Sequence, residues 1–197
     1  VAQFEFLSQN GEELGINTTF VALHTTPRDV QAELDALPDV YEQSRTLTGT
    51  PNSILLGDFN ADCSYLSRTK ERNLLLKADS KYHWLVGDEV DTTVKASNCA
   101  YDRVIIVGDE VYELYVPGTA KPFKYDSAYG LSKTLAEDVS DHYPIEFLLQ
   151  VPIPSPPTSS PTLAPTPSGA GAGGDGGGKG GKKEEESFGM GVFVGLG

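Results

Sequence analysis

Apolar and polar positions divide the first 150 residues into short elements. Val1–Leu7 reads as a strand already under way, and Asn10-Gly11 follows as a turn signal. Thr18–Leu23 is a second strand, rich in β-branched and aromatic residues. Thr26-Pro27-Arg28-Asp29 opens a helix: Thr26 suits the N-cap, Pro27 the first helical position, and Asp29 the positive end of the dipole. Val30, Leu34 and Leu37 form its apolar face, Pro38 predicts a break or kink, and Val40–Thr46 resumes it. Ser53–Leu56 is a short apolar run, as expected of a strand covered on both faces. Arg68–Leu76 predicts a helix, and Ser132–Glu137 a shorter one. His83–Val86, Arg103–Val107, Val111–Val116 and Ile145–Gln150 predict strands, the second and third of these parted by Gly108-Asp109. Strands outnumber helices and the helices lie between them, which points to an α/β or α+β layered fold.

Beyond residue 150 this patterning stops. Residues 151–197 hold seven of the 13 prolines and 13 of the 21 glycines. Val151–Ser168 is Pro/Ser/Thr-rich, an extended and semi-rigid stalk; 169–181 is a flexible Gly-rich stretch. Neither can bury enough apolar surface to offset its ordering entropy. The expected organisation is therefore a domain over 1–150, a linker over 151–181, and a charged cluster with an apolar end over 182–197. Phe188–Gly197 follows Lys182-Lys183-Glu184-Glu185-Glu186 and reads either as a Gly-rich end or as the opening of a membrane span continuing past Gly197.

The net charge is −13, and residues 1–150 carry −12 of it. That balance argues against a simple electrostatic grip on nucleic acid, which wants a basic footprint. It permits a divalent-metal protein, whose site needs an excess of carboxylates.

Several chemistry-bearing residues fall at strand ends, where open sheets present their sites. His24 follows the second strand; Asp58 and Asn60 follow Ser53–Leu56; Asp102 opens Arg103–Val107; Asp141-His142 precede Ile145–Gln150. Each alone is what strand ends and turns ordinarily carry. Together they are an inventory for metal-assisted hydrolysis, and their hard oxygens suit Mg²⁺ better than a softer metal. No Cys/His cluster has zinc spacing.

Leu56-Gly-Asp-Phe-Asn-Ala-Asp-Cys-Ser64, Asp91-Thr-Thr93, Asn98-Cys-Ala-Tyr-Asp-Arg103, Ala128-Tyr-Gly-Leu-Ser132 and Ser140-Asp-His-Tyr-Pro144 together resemble deoxyribonuclease I. Val21-Ala-Leu-His24 and Pro117-Gly118 fit in the same order, so the resemblance spans roughly residues 16–150. Ser-Asp-His is shared by the wider endonuclease/exonuclease/phosphatase superfamily; the two Cys-containing runs are more specific. The resemblance implies a four-layer αββα sandwich and metal-dependent cleavage of double-stranded DNA to 5′-phosphate and 3′-hydroxyl ends. It implies catalytic roles for His24 and His142, with Asp102 orienting His142. Asp58 and Asn60 are implied at the metal, the attacking water or the scissile phosphate, and Asp141 as a ligand of Mg²⁺ (or Mn²⁺). Asp91, Thr93 and Ser97 match a structural Ca²⁺ site, and Tyr101 and Asn60 match contacts to the DNA backbone. Lys95, in the calcium-loop region, is a further candidate contact. Cys63 and Cys99 are implied to form a disulfide. That pairing, with the stalk, favours a secreted or secretory-pathway protein, tethered if the C-terminal run continues into a membrane. Asn17-Thr-Thr19 is a glycosylation sequon.

The match begins about midway through the family's domain. The carboxylate that orients the residue matching His24 is then expected to be missing, with part of the core, and the chain alone is expected to fold poorly and to be nearly inactive. Two other readings stand beside the nuclease: a phosphodiesterase or phosphatase of the same superfamily acting on sphingomyelin or inositol phosphates, and a non-catalytic module.

Overall fold

The computed structural model describes residues 1–7, 11 and 13–150, and the backbone of 189–194. The linker reading for 151–181 and the charged cluster lie outside the described residues, as does Asn10 of the predicted first turn.

Five strands make the main sheet: β1 (Ala2–Leu7), β2 (Glu13–Ala22), β3 (Ser53–Asp58), β4 (His83–Trp84) and β5 (Asp102–Val107), in the order β1-β2-β3-β5-β4. Only the β2–β3 pair is parallel, with Phe20 opposite Ile54. A parallel pair needs a crossover, and α1 (Val30–Thr48) supplies it. Val30, Leu34, Leu37 and Tyr41 of α1 pack with Val21, Leu55, Ile105 and Val107 on one face of the sheet.

The predicted break at Pro38 does not occur: α1 runs through it, and Pro38 is buried. One missing N–H costs the helix a hydrogen bond, and the apolar stripe packed on the sheet outweighs it. The helix also starts later than predicted. Residues 26–29 form a turn closed by the Asp29 N–H on the Thr26 carbonyl (2.8 Å), and Asp29, not Thr26, occupies the cap position. Arg68–Leu76 resolves into two short helices, α2 (Arg68–Arg72) and α3 (Leu75–Ala78), with the Ser67 hydroxyl capping the first.

The clearest departure from expectation is Val111–Val116. Its core is helical, α4 (Asp109–Leu114), not a strand. Val111 and Leu114, three apart, both turn into the core, and Asp109 and Glu110 sit at the positive end of the dipole. Gly108 permits the reversal before it. Its φ is 101°, and a Cβ there would meet Asn52 Oδ1 at 2.5 Å.

A second sheet has the order β6 (Lys121–Pro122), β7 (Ile145–Gln150), β8 (Gly189–Val194), antiparallel throughout. Residues 189–194 thus form a strand against β7, where the sequence pointed to a Gly-rich end or the start of a span; Val and Phe at 192–194 suit a strand. Among the described residues no helix is long and apolar enough to cross a membrane.

Ile145, Phe147 and Leu149 of β7 pack on Ile54, Leu56, Val104 and Ile106, the second face of the main sheet. β3 and β5 are accordingly buried along their whole length. The layers run helix, sheet, sheet. The outer face of β7, with Glu146, Leu148 and Gln150, is partly or fully exposed, so the described residues form three of the four layers that an αββα sandwich would have. α5 (Tyr125–Tyr129) and α6 (Lys133–Val139) close a smaller cluster around Val94, Tyr125, Ala136 and Tyr143.

Candidate active site

The site forms where β2 and β3 end side by side. Past β2 the chains stay paired through Leu23 N–H to the Leu56 carbonyl and Thr25 N–H to the Asp58 carbonyl, both 3.0 Å, which carries His24 alongside Asp58. β5 is antiparallel to β3, so its first residue, Asp102, stands opposite Asp58. Asp141 and His142 arrive on the turn before β7, which bridges back to the 91–94 loop at Thr93. A cleft of about 340 Å³ results, lined by His24, Asp58, Asn60, Tyr101, Asp141 and His142, with Lys95, Thr93 and Ser97 along one wall.

His142 Nδ1 lies 2.8 Å from Asp102 Oδ2. This hydrogen bond pushes the imidazole pKa above its ordinary value, against the opposing effect of burial. The Asp102 backbone N–H is held by the Thr92 hydroxyl (3.2 Å), and the His142 ring stacks on Tyr101 with centroids 5.8 Å apart. Asp58 Oδ2 is 3.8 Å from His142 Nδ1 and 3.3 Å from His24 Nε2. Burial pushes the Asp58 carboxyl up, although its Oδ1 accepts the Asn60 N–H at 2.9 Å. Asn60 adopts φ 47°, the left-handed region, and its Nδ2 donates to the Thr25 carbonyl (3.1 Å), which ties the β3 end to the β2 end.

Asp58, Asp102 and His142 place ligand atoms within 4.8 Å of one another, a group that could hold a metal ion. The 2.8 Å Asp102–His142 contact is hydrogen-bond geometry and commits those two to each other. Asp58 is then the carboxylate left to seek a cation, and its raised pKa reflects a buried charge short of compensation. Asp141 stands apart from this group: its carboxylate pairs with Lys95 Nζ at 2.9 Å, which holds it below the usual carboxylate range.

The three residues matched to calcium lie in one turn. Asp91 Oδ1 accepts from the Thr93 N–H (3.0 Å) and hydroxyl (2.8 Å), and the Thr93 hydroxyl also lies 2.9 Å from the Ser97 carbonyl. This is a compact set of hard oxygens, of the kind Ca²⁺ takes. Cys63 and Cys99 form a disulfide with Cα atoms 5.9 Å apart, tying this loop to the one that bears Asn60.

Sequence reasoning passed over what braces that second loop. Arg103, fully buried, donates to the Ala61 carbonyl (3.1 Å) and the Val86 carbonyl (2.9 Å) and pairs with Asp88 (3.1 Å). Asp88 also pairs with Arg68 and Lys77, which in turn hold buried Glu71. Asp62 accepts the Ala100 N–H (2.8 Å) and pairs with Arg68 (2.9 Å). The available signal was an arginine inside an otherwise apolar run, Arg103–Val107.

No family model matches the chain. Among known proteins it is similar to deoxyribonuclease gamma of Mus musculus, 48% identical over 131 residues, covering 66% of this chain and 42% of that protein. It is 41% identical to deoxyribonuclease-1 of Bos taurus over 149 residues (76% of this chain, 51% of that protein) and 42% identical to deoxyribonuclease-1 of Homo sapiens over 130 (66% and 46%). The chain thus spans about half the length of the relatives it matches. Over that span, it is related to the proteins of the deoxyribonuclease I type.

Proposed function

We propose that the protein is a divalent-metal-dependent endonuclease that hydrolyses double-stranded DNA to 5′-phosphate and 3′-hydroxyl ends. The observation that carries this is the Asp102–His142 pair facing Asp58 in an open cleft, in a chain whose relatives are named deoxyribonucleases.

Asp102 keeps the imidazole proton on Nδ1 and leaves Nε2 of His142 for the reaction. Water adds in line to phosphorus and the bond to the 3′ oxygen breaks. One imidazole takes the proton of the water and the other returns a proton to the 3′ oxygen, with His142 and His24 filling these two roles. Asn60 and Tyr101 border the cleft where the backbone phosphates would lie. A bound Mg²⁺ or Mn²⁺ would neutralise phosphate charge; Asp58, Asn60 and Asp141, which line the cleft, are the residues that would hold it. Asp91, Thr93 and Ser97 would hold a structural Ca²⁺. The disulfide favours a secretory or extracellular setting.

The test is nicking of supercoiled plasmid by the protein with Mg²⁺, against an EDTA control and sphingomyelin as the rival substrate. Metal-dependent nicking that the His142→Ala variant lacks is the expected result. Hydrolysis of the phospholipid without nicking would overturn the DNA reading.

A further inference from the structure

We propose that Thr92 is the positioning residue of the Asp102–His142 pair: its hydroxyl holds the backbone of Asp102 and its carbonyl the backbone beside His142, which fixes the two partners relative to one another. This rests on the nuclease reading above and deepens it.

The pair joins residues 40 positions apart, one opening β5 and one on the turn before β7. Segments so distant in sequence need a common tie if their side chains are to meet at 2.8 Å. Thr92 supplies one. Its hydroxyl accepts from the Asp102 N–H (3.2 Å) and the Tyr101 N–H (3.1 Å) and donates to the Cys99 carbonyl (3.3 Å). A hydroxyl has one donor and two acceptor sites, so its capacity is fully used. The Thr92 carbonyl accepts the N–H of Tyr143, the residue after His142, at 2.8 Å. Thr92 is fully buried, so water does not compete for these groups. Its β-branched side chain has few rotamers, which fixes where the hydroxyl oxygen stands. Thr92 is not among the residues lining the cleft; it acts through Asp102. The same oxygen holds Tyr101, whose ring stacks on His142. The alternative is a loop brace that merely keeps residues 91–102 folded. Loss of a brace lowers stability and reaches the rate only through the folded fraction. Loss of a positioning group lowers the maximal rate of the folded protein, leaves the half-maximal DNA concentration in place, and changes the Asp102–His142 hydrogen bond itself.

The experiment compares Thr92→Val, which removes the hydroxyl at similar size, with Thr92→Ser, which keeps it, in the full chain. Plasmid nicking with Mg²⁺ and excess Ca²⁺, on protein shown by circular dichroism to be folded, reads the rate. The proton NMR resonance of the hydrogen-bonded Nδ1–H of His142, assigned by its loss in His142→Ala and recorded in EDTA, reads the pair without catalysis. Thr92→Val is expected to lower the maximal nicking rate about 100-fold, as a misplacement near 1 Å does. It should leave the half-maximal DNA concentration unchanged and shift or abolish the Nδ1–H resonance. Thr92→Ser should keep all three at wild-type values. Thr92→Ala serves if the valine variant folds poorly. A folded hydroxyl-free variant with the wild-type rate or an unchanged resonance would overturn the proposal. So would loss of the resonance in Thr92→Ser, or its absence from the wild type. A resonance that follows the hydroxyl in a protein that nicks no plasmid would sink the nuclease reading alone; nicking that Thr92→Val leaves intact would sink this proposal alone.

Discussion

His142 and His24 border the same cleft in unlike surroundings. The His142 side chain is 16% exposed, bonded to Asp102 at 2.8 Å, stacked on Tyr101, and carried on a turn bridged to Thr93. The His24 side chain is 62% exposed, and its carboxylate contact, Asp58 at 3.3 Å, is shared with His142 at 3.8 Å. A partner of its own fixes an imidazole's tautomer and aim; a shared one at the end of a strand fixes only its neighbourhood. The chain therefore builds one carboxylate–imidazole pair in full and, within the described residues, only the position of a second imidazole.

The sharpest way to break this contrast is to remove the orienting carboxylate. Asp102→Asn should cut plasmid nicking by about 100- to 10,000-fold, as should His142→Ala. The amide can no longer stabilise the imidazolium and allows the wrong tautomer. Circular dichroism checks that the variant folds. A folded Asp102→Asn protein with near wild-type nicking would show that His142 is no better positioned than His24.

The next effect falls on stability. Arg103 braces the Ala61 carbonyl and sits between Asp88 and buried Glu71. Burial pulls its pKa down, and the surrounding acids oppose that pull. Arg103→Met leaves those carboxylates without their central cation, and breaking a buried pair in this way costs about 3–5 kcal/mol. Urea unfolding reads the loss directly. A cost below about 1 kcal/mol would mean the ordered side of the cleft rests on apolar packing and the disulfide instead.

How much of this could be read beforehand follows from how local each signal is. β3 and β5 were legible because continuous apolar runs bounded by polar turns have few other uses. Val111–Val116 was not, because Val111 and Leu114 satisfy a helix face as well as an interrupted alternation, and only Gly108 against Asn52 decides between them. β6 is a strand by virtue of β7 beside it, not of its own sequence. In the site, short motifs carried Asp58, Asn60 and His142 to one cleft, with Asp102 bonded behind His142. The Arg103 network was hidden because Arg68, Glu71, Lys77 and Asp88 look like surface charges until the fold gathers them. The pairing of Asp141 with Lys95 spans 46 residues and has no sequence signature.

A smaller effect appears in pH. His142 has its pKa raised in the folded state, so the protein binds a proton there more tightly folded than unfolded. Its contribution to stability is fully present below the unfolded value near 6.5 and is lost as pH rises through the folded value. In chelator, the urea midpoint should fall across that window, and Asp102→Asn should flatten the fall by removing the hydrogen bond that raises the pKa. A fall of equal size in the variant would assign it to another group.

The smallest expected effect is on the other side of the comparison. His24→Ala removes an exposed ring with one ionic contact, at 3.3 Å, and no hydrophobic burial. Substitutions of that kind usually stay within about 0.5 kcal/mol, so the urea midpoint should barely move even where nicking is lost. The strand end that carries His24 is held by the backbone bonds from Leu23 to Leu56 and from Thr25 to Asp58, which the substitution leaves in place. A stability loss near 2 kcal/mol would place His24 in surroundings as closed as those of His142, and the contrast between the two histidines would fail.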